Sequence, residues 1–263
     1  MNAISACLIT LNEEKNLPRA LASLEGVADE IVVVDACSTD ATIDIARQHG
    51  AVVYVRPWTN YSEQRNFAAA RARHEWILAL DADEELSCAL VESLRAWKEQ
   101  LPACDVYEFP RRTWYLGAWI CHSGWYPGYL KRLYRRGAAQ FSGIIHESVQ
   151  TVGPVGRLRG DLHHFTVRSF AEHEENVEHY STLGAEHMLA AGRRRWLAAM
   201  LFTPVWSWLR CFVFQAGFLD GRRGWLIARM AARSARLKYR KLGRLVRRGE
   251  ETHQGGRPSA TRE

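Results

Sequence analysis

Four apolar runs in the first third of the chain, residues 3–10, 30–35, 51–55 and 76–81, constrain the fold more than any other feature. Runs such as Ile-Val-Val-Val-Asp and Trp-Ile-Leu-Ala-Leu do not alternate apolar with polar, so neither face of the strand is meant for water. Segments of helical character separate them, at 16–24, 39–49 and 62–73. Strand, helix, strand in this order predicts an α/β fold with a Rossmann-like, mostly parallel sheet covered by helices on both faces. Ligands of such sheets sit at the carboxyl ends of the strands, so the residues just after each run are the first to inspect.

Those residues are polar. The first run ends Thr10-Leu11-Asn12-Glu13-Glu14 and the second Asp35-Ala36-Cys37-Ser38-Thr39-Asp40. Hydroxyl, amide and carboxylate groups gathered at one sheet edge suit a base and a ribose. The same residues also read as helix caps, Asn12 before one helix and Ser38 or Thr39 before the next. No GxGxxG or GxxxxGK[ST] follows the first run, which argues against a dinucleotide fold and a P-loop. The fourth run ends Asp81-Ala82-Asp83-Glu84, two carboxylates one residue apart on a rigid strand end. Such a pair suits a hard divalent ion, Mg2+ or Mn2+, that is also bridged by phosphates.

Beyond residue 84, a helix is expected over 87–98 and short mixed strands over 106–134, with Trp114, Trp119, Trp125 and Tyr126 as candidate stacking surfaces for a sugar. A helix follows from 169 to about 191, where Phe170, Val177, Tyr180 and Leu183 recur at helical spacing. Next come an apolar segment, 196–219, and a basic helix, 221–248. The expected organisation is a catalytic domain over 1–168, split at about residue 100 into nucleotide and acceptor halves. A basic, amphipathic helical region at 169–248 and a disordered tail at 249–263 complete it.

Charge sets the C-terminal region apart. Residues 193–248 hold 15 Lys/Arg against one acid, Asp220, a net +14, whereas the rest of the chain carries −8. Tryptophans 196, 206, 208 and 225 with flanking arginines fit an interfacial helix pair on an anionic membrane better than a spanning helix, since Arg210 stands near mid-span; packing of 196–219 on the catalytic domain or on a second copy is the other alternative. The six cysteines are scattered without metal-ligand spacing, and no leader precedes the first strand, so a reduced, cytoplasmic protein is expected.

Ile9-Thr-Leu-Asn-Glu-Glu, Val34-Asp-x-x-Ser-Thr-Asp, Gln64-Arg65-Asn66 and Leu80-Asp-Ala-Asp-Glu together resemble glycosyltransferase family 2 from residue 4 to 85. The segments around His146-Glu147 and Gly217–Gly221, with the basic C-terminal end, resemble its bacterial lipopolysaccharide-core β-glucosyltransferase branch. The resemblance implies a GT-A fold, with Thr10, Asn12, Glu13, Asp35 and Ser38 around the nucleoside of a UDP-linked donor. It also implies that Gln64, Arg65 and Asn66 close over the nucleotide, that Asp81 faces the ribose or diphosphate, and that Asp83 binds the metal. Cys37 stands where many members have glycine.

An inverting transfer also needs a base for the acceptor hydroxyl. Glu147 is the candidate, with His146 orienting substrate; His163-His164 is a weaker candidate for the diphosphate. The expected reaction moves a hexose, glucose foremost, from a UDP-sugar to a lipid-linked or lipopolysaccharide-core saccharide, on the inner face of the cytoplasmic membrane. Two alternatives use the same residues. A sugar-nucleotide nucleotidyltransferase would need a Gly-rich loop, and 12–18 has no glycine; nucleic-acid binding through the basic end would leave the crevice unexplained, so no nucleic-acid partner is expected.

Overall fold

The computed structural model describes residues 1–143, 148–167 and 169–254. They form two compact units. The first holds Met1–Trp114 and Tyr126–Thr166, and the second holds Tyr115–Trp125 and the chain from Val167 onward.

In the first unit the elements run β1 (Ile4–Thr10), α1 (Leu17–Ser23), β2 (Glu30–Asp35), α2 (Thr42–Gln48), β3 (Val52–Val55), α3 (Tyr61–Arg71), β4 (Trp76–Asp81), β5 (Glu84–Leu86) and α4 (Cys88–Lys98). β6 (Val106–Tyr115) follows. After β7 (Ala118–Trp119) come β8 (Gly128–Arg135), β9 (Gln140–Ser142), β10 (Ser148–Gln150), β11 (Val155–Arg157) and β12 (Leu162–Val167). The sheet order is β3-β2-β1-β4-β8-β6-β12-β5, with β11 beside β6. Pairing is parallel from β3 to β4, as the unalternated runs predict, and antiparallel from β4 to β8 and from β8 to β6.

The absence of alternation has a plain cause. Ile4, Ala6, Leu8, Val33, Leu78 and Leu80 enter one apolar cluster with Leu17, Leu90 and Leu94 of the covering helices. Their neighbours in the chain, Cys7, Val32, Val34, Ile77 and Ala79, enter a second cluster with Ala68 and Ala69 of α3. Each strand is therefore buried twice over, and each fully buried leucine contributes about 1.5–3 kcal/mol. Helix starts are set by short polar side chains: Asn60 accepts from the Glu63 amide at the head of α3 and Ser87 from the Leu90 amide at α4.

The second unit consists of the 115–125 segment with α5 (Phe170–Ala190), α6 (Leu197–Leu209) and α7 (Gly221–Gln254). A π turn, Arg210–Phe214, and a 3₁₀ turn, Gly217–Asp220, join α6 to α7. Tyr115, Ile120, Cys211, Ile227 and Ala228 form one core, and Ala185, Leu242 and Val246 another. Gly224 allows α7 to start close to the 3₁₀ turn, because a Cβ there would lie 1.8 Å from the Gly217 carbonyl oxygen. The buried Asp220 carboxylate ties the 115–125 segment to that turn, accepting from the Cys121 and His122 amides at 3.0 and 3.1 Å and from the Ser123 hydroxyl at 2.7 Å.

Candidate active site

At the carboxyl ends of β1 and β2 the two polar loops are tied into one scaffold. Asp35 is fully buried. Its Oδ1 accepts from the Ser38 amide at 2.7 Å, and its Oδ2 accepts from the Thr10 hydroxyl at 2.8 Å and the Ser38 hydroxyl at 2.6 Å. The Ser38 hydroxyl in turn accepts from the Asn12 amide at 2.8 Å, and Asn12 Oδ1 accepts from the Thr39 amide at 2.9 Å. The Glu13 amide donates to the Thr42 hydroxyl, and its carboxylate accepts from Asn16 at 2.7 Å.

These bonds correct the capping expectation. Helices α1 and α2 begin later than the polar clusters, after Asn16 and Ala41, and neither of these N-cap residues supplies a side-chain cap; the Thr42 amide at the head of α2 donates to Asp40. Asn12, Ser38 and Thr39 bond across the two loops instead. The arrangement needs left-handed backbone at Asn12 (φ 54°) and Cys37 (φ 68°). Glycine adopts that region without the Cβ penalty, so the departure at Cys37 falls on a position where backbone geometry matters.

The α3 residues divide by role. Gln64 is buried and donates to the carbonyls of Arg56 and Pro57, holding the loop after β3. Asn66 clamps Phe141 of β9, donating to its carbonyl and accepting from its amide, both at 2.9 Å. Arg65 is buried and reaches Asp81 at the end of β4.

Asp81 therefore sits between two guanidiniums, because Arg132 of β8 contacts its other oxygen at 2.7 Å. Arg132 also meets Glu84 at 2.8 Å, and Glu84 is fully buried. Partial burial alone would raise the Asp81 carboxyl, but the charges of Arg132 and Arg65 outweigh it and hold the group well below the usual carboxylate range. Glu84 goes the other way: burial outweighs Arg132, and repulsion from Asp81 adds to the rise. Register explains Arg132. β8 pairs Leu133 with Leu78 and Tyr134 with Ile77, which carries residue 132 toward the acidic end of β4. A cation among Leu130, Leu133 and Tyr134 was the available sequence signal, since a buried arginine needs carboxylates.

Asp83 lies just past that end, with about a quarter of its side chain exposed, and pairs with His164 Nε2 at 3.2 Å. β12 runs antiparallel to β5 with His164 opposite Glu84 and His163 opposite Glu85. His163 meets Glu85 at 3.1 Å, and Glu85 also takes Arg19 at 3.2 Å. The histidine pair, the weaker candidate from sequence, is thus brought to the acidic strand end. His164 Nδ1 is buried without a hydrogen-bond partner in the protein. Among the described residues no group of three His, Cys, Asp or Glu side chains converges as a complete metal cage. Asp83 and His164 offer two ligands, which fits an ion whose remaining positions go to diphosphate and water.

Of the other expected residues, His146 and Glu147 lie outside the described residues. On either side of them, Ser142 and Ser148 are register partners in the β9–β10 pair. Trp114 packs on Phe165, Tyr126 donates to Asp161 at 3.0 Å, and Trp125 packs on Tyr115 in the second unit.

Comparison with known proteins gives this geometry a family. The model of glycosyl transferase family 2 matches residues 5–148. The chain is 32% identical over 245 residues to the lipopolysaccharide core biosynthesis glycosyltransferase LpsC of Rhizobium meliloti, covering 87% of each. It is 29% identical to the Rickettsia typhi glycosyltransferase RT0209, covering 93% of this chain and 88% of that one. Among solved structures, Staphylococcus aureus TarS 1-349 matches with a TM-score of 0.47 at 17% identity, over 94% and 92% of the two chains. With its family model spanning more than half its length, the chain belongs to glycosyl transferase family 2 and is a glycosyltransferase.

Proposed function

We propose that the enzyme transfers a hexose, glucose foremost, from a UDP-linked donor to a saccharide carried on lipid or lipopolysaccharide core, with inversion and with a divalent metal ion. The observation that carries the reading is the Asp83–His164 pair at the end of β4, beside an Asp81 kept ionised by two arginines. Asp83 and His164 would hold Mg2+ or Mn2+, which would supply positive charge for the leaving diphosphate. Thr10, Asn12, Glu13, Asp35 and Ser38 would bind the nucleoside through the two tied loops. Gln64, Arg65 and Asn66 shape the wall beside it, holding respectively the loop after β3, Asp81 and β9. Glu147 would take the proton of the acceptor hydroxyl as it attacks the anomeric carbon, with His146 orienting the acceptor.

The donor reading rests on the motif resemblance, and the acceptor reading on the name of the Rhizobium meliloti relative. A lipid-borne acceptor also gives the basic helical region a purpose, holding the enzyme to the inner face of the cytoplasmic membrane. Donor hydrolysis with UDP-, GDP- and ADP-sugars, with and without Mg2+ or Mn2+, tests the chemistry. The expected result is turnover of UDP-glucose that EDTA abolishes. Preference for another nucleotide, or an undiminished rate in EDTA, overturns the donor or the metal reading respectively.

A further inference from the structure

Helix α6 is sided the wrong way round for water. Met200, Thr203, Pro204, Ser207 and the buried Cys211 lie along one face, which is half-buried or buried, and Cys211 joins Ile227 and Ala228 of α7 in one core. The opposite face carries Leu201, Phe202, Val205, Trp206, Leu209 and Val213, all exposed, with Phe202 at 73%. Exposure of large apolar side chains continues through Phe214, Phe218, Leu219 and Trp225. Soluble helices put such residues inward and leave only scattered ones outside, so a contiguous strip of this kind marks a surface meant for an apolar phase.

The neighbouring helix supplies the charge. Arg222, Arg229, Arg233, Arg236, Arg240, Arg244 and Arg247 are all exposed. At 100° per residue they fall within one stripe on α7, about 37 Å long. Glu174 of α5 neutralises Arg233. Stripe and strip meet at Trp225, where the Arg229 guanidinium lies 5.5 Å from the ring centre; at the other end Arg247 lies 4.8 Å from the ring centre of the half-buried Trp196, on the inner face at the head of α6.

From this pairing of faces we infer that α6 and the two turns after it lie in the plane of an anionic bilayer interface, immersing the apolar strip while the α7 stripe meets lipid phosphates. Insertion at headgroup depth combined with cationic attraction is the usual physics of interfacial helices. A spanning arrangement conflicts with the packing. Leu197–Phe214 is long and apolar enough to cross a membrane. However, its inner face packs on α7, from Trp196 against Gly243 at one end to Cys211 with Ile227 at the other. Crossing would draw the arginine stripe to hydrocarbon depth, where each arginine is costly. Arg210, exposed at the start of the π turn and at the edge of the strip, can keep its head at the interface by extending its stem.

The inference deepens the lipid-borne acceptor reading by naming the surface and its mode, yet it can fail independently of it. Full-length protein is sedimented with vesicles of pure phosphatidylcholine and with vesicles containing anionic phosphatidylglycerol, while UDP-glucose hydrolysis is measured on the same samples. The wild type should prefer anionic vesicles, and 1 M salt should release only part of it. Substituting Arg236, Arg240 and Arg244 by Gln should weaken anionic binding by roughly 100-fold, about fivefold for each lost cation. The triple change Phe202→Ser, Trp206→Ser, Phe214→Ser should leave a weak, fully salt-sensitive association. Both variants should hydrolyse donor at the wild-type rate, which also checks their fold.

Equal vesicle binding by variants and wild type overturns the inference, as does wild type that stays in the supernatant. Resistance to carbonate extraction would mean that the helix spans. A stable dimer whose dissociation follows the serine changes would mean that a second copy covers the strip. Failure of donor hydrolysis with intact vesicle binding would overturn the catalytic reading alone.

Discussion

Arg132→Met tests the electrostatics on which the site depends. Arg132 is the shared partner of Asp81 at 2.7 Å and Glu84 at 2.8 Å, with only 6% of its side chain exposed. Methionine fills much of the volume but removes the charge, leaving a fully buried Glu84 without that partner. Breaking a buried ion pair from one side costs about 3–5 kcal/mol. At about 2–4 °C per kcal/mol for a unit of this size, the melting midpoint should fall by roughly 6–20 °C at neutral pH.

The sign of the pH dependence follows from the two shifts. Asp81 is lowered in the fold, so its stabilisation is present above the unfolded carboxylate value near 3.9 and is lost as pH falls. Glu84 is raised, so its contribution is favourable below its unfolded value near 4.3 and is lost as pH rises. Removing Arg132 raises Glu84 further and weakens the hold on Asp81. The deficit of the variant should therefore be greatest at neutral pH and shrink toward pH 4. Adding Glu84→Gln should recover about 1–3 kcal/mol, the coupling expected of neighbours in one network. Thermal melts of the wild type, the Arg132→Met and Glu84→Gln single variants and the double variant at pH 7 and pH 4.5 decide it. A deficit below about 1 kcal/mol at neutral pH, or one that does not change with pH, refutes the reasoning.

Asp83→Asn should lower divalent-dependent donor hydrolysis at least roughly 100-fold with an unchanged melting curve, and unchanged turnover would remove Asp83 from the metal site. Glu147→Gln should lose transfer by roughly 10²–10⁴-fold while keeping UDP affinity in calorimetric titration; an equal loss of affinity would reassign it to binding. Cys37→Gly should be neutral or stabilising by about 0.5–1 kcal/mol, because relief of the left-handed penalty at φ 68° exceeds the added chain entropy. Cys37→Val should cost about 1–3 kcal/mol and weaken UDP binding; equal melting of the two variants would show that the loop does not need that backbone.

The parallel half of the sheet was legible because burial on both faces is a local property. Six residues such as Glu30–Asp35 suffice to show it, and β2 has those bounds. Contacts between distant segments were not legible in the same way. Arg132 stands 51 residues from Asp81, and their meeting depends on the register of β8 against β4, to which neither local sequence points. The capping expectation failed for a related reason. Asn12 and Ser38 have the chemistry of caps, but the helices wait until Leu17 and Thr42, and the freed side chains satisfy the other loop.

Helix α6 carries this distinction furthest. From the sequence, Arg210 near mid-span argues against crossing and the tryptophans with flanking arginines favour lying on a surface, but the sequence does not say which face of the segment meets lipid. The structure assigns sides: Thr203, Pro204 and Ser207 share the face of the buried Cys211, and Arg210 stays exposed at the edge of the strip. Polar residues turned inward cost nothing at the outer face, so the outer strip is as apolar as a bilayer interface requires. A composition that weakens the case for crossing a membrane is therefore compatible with a strong case for lying on one, and the face on which each polar residue falls separates the two.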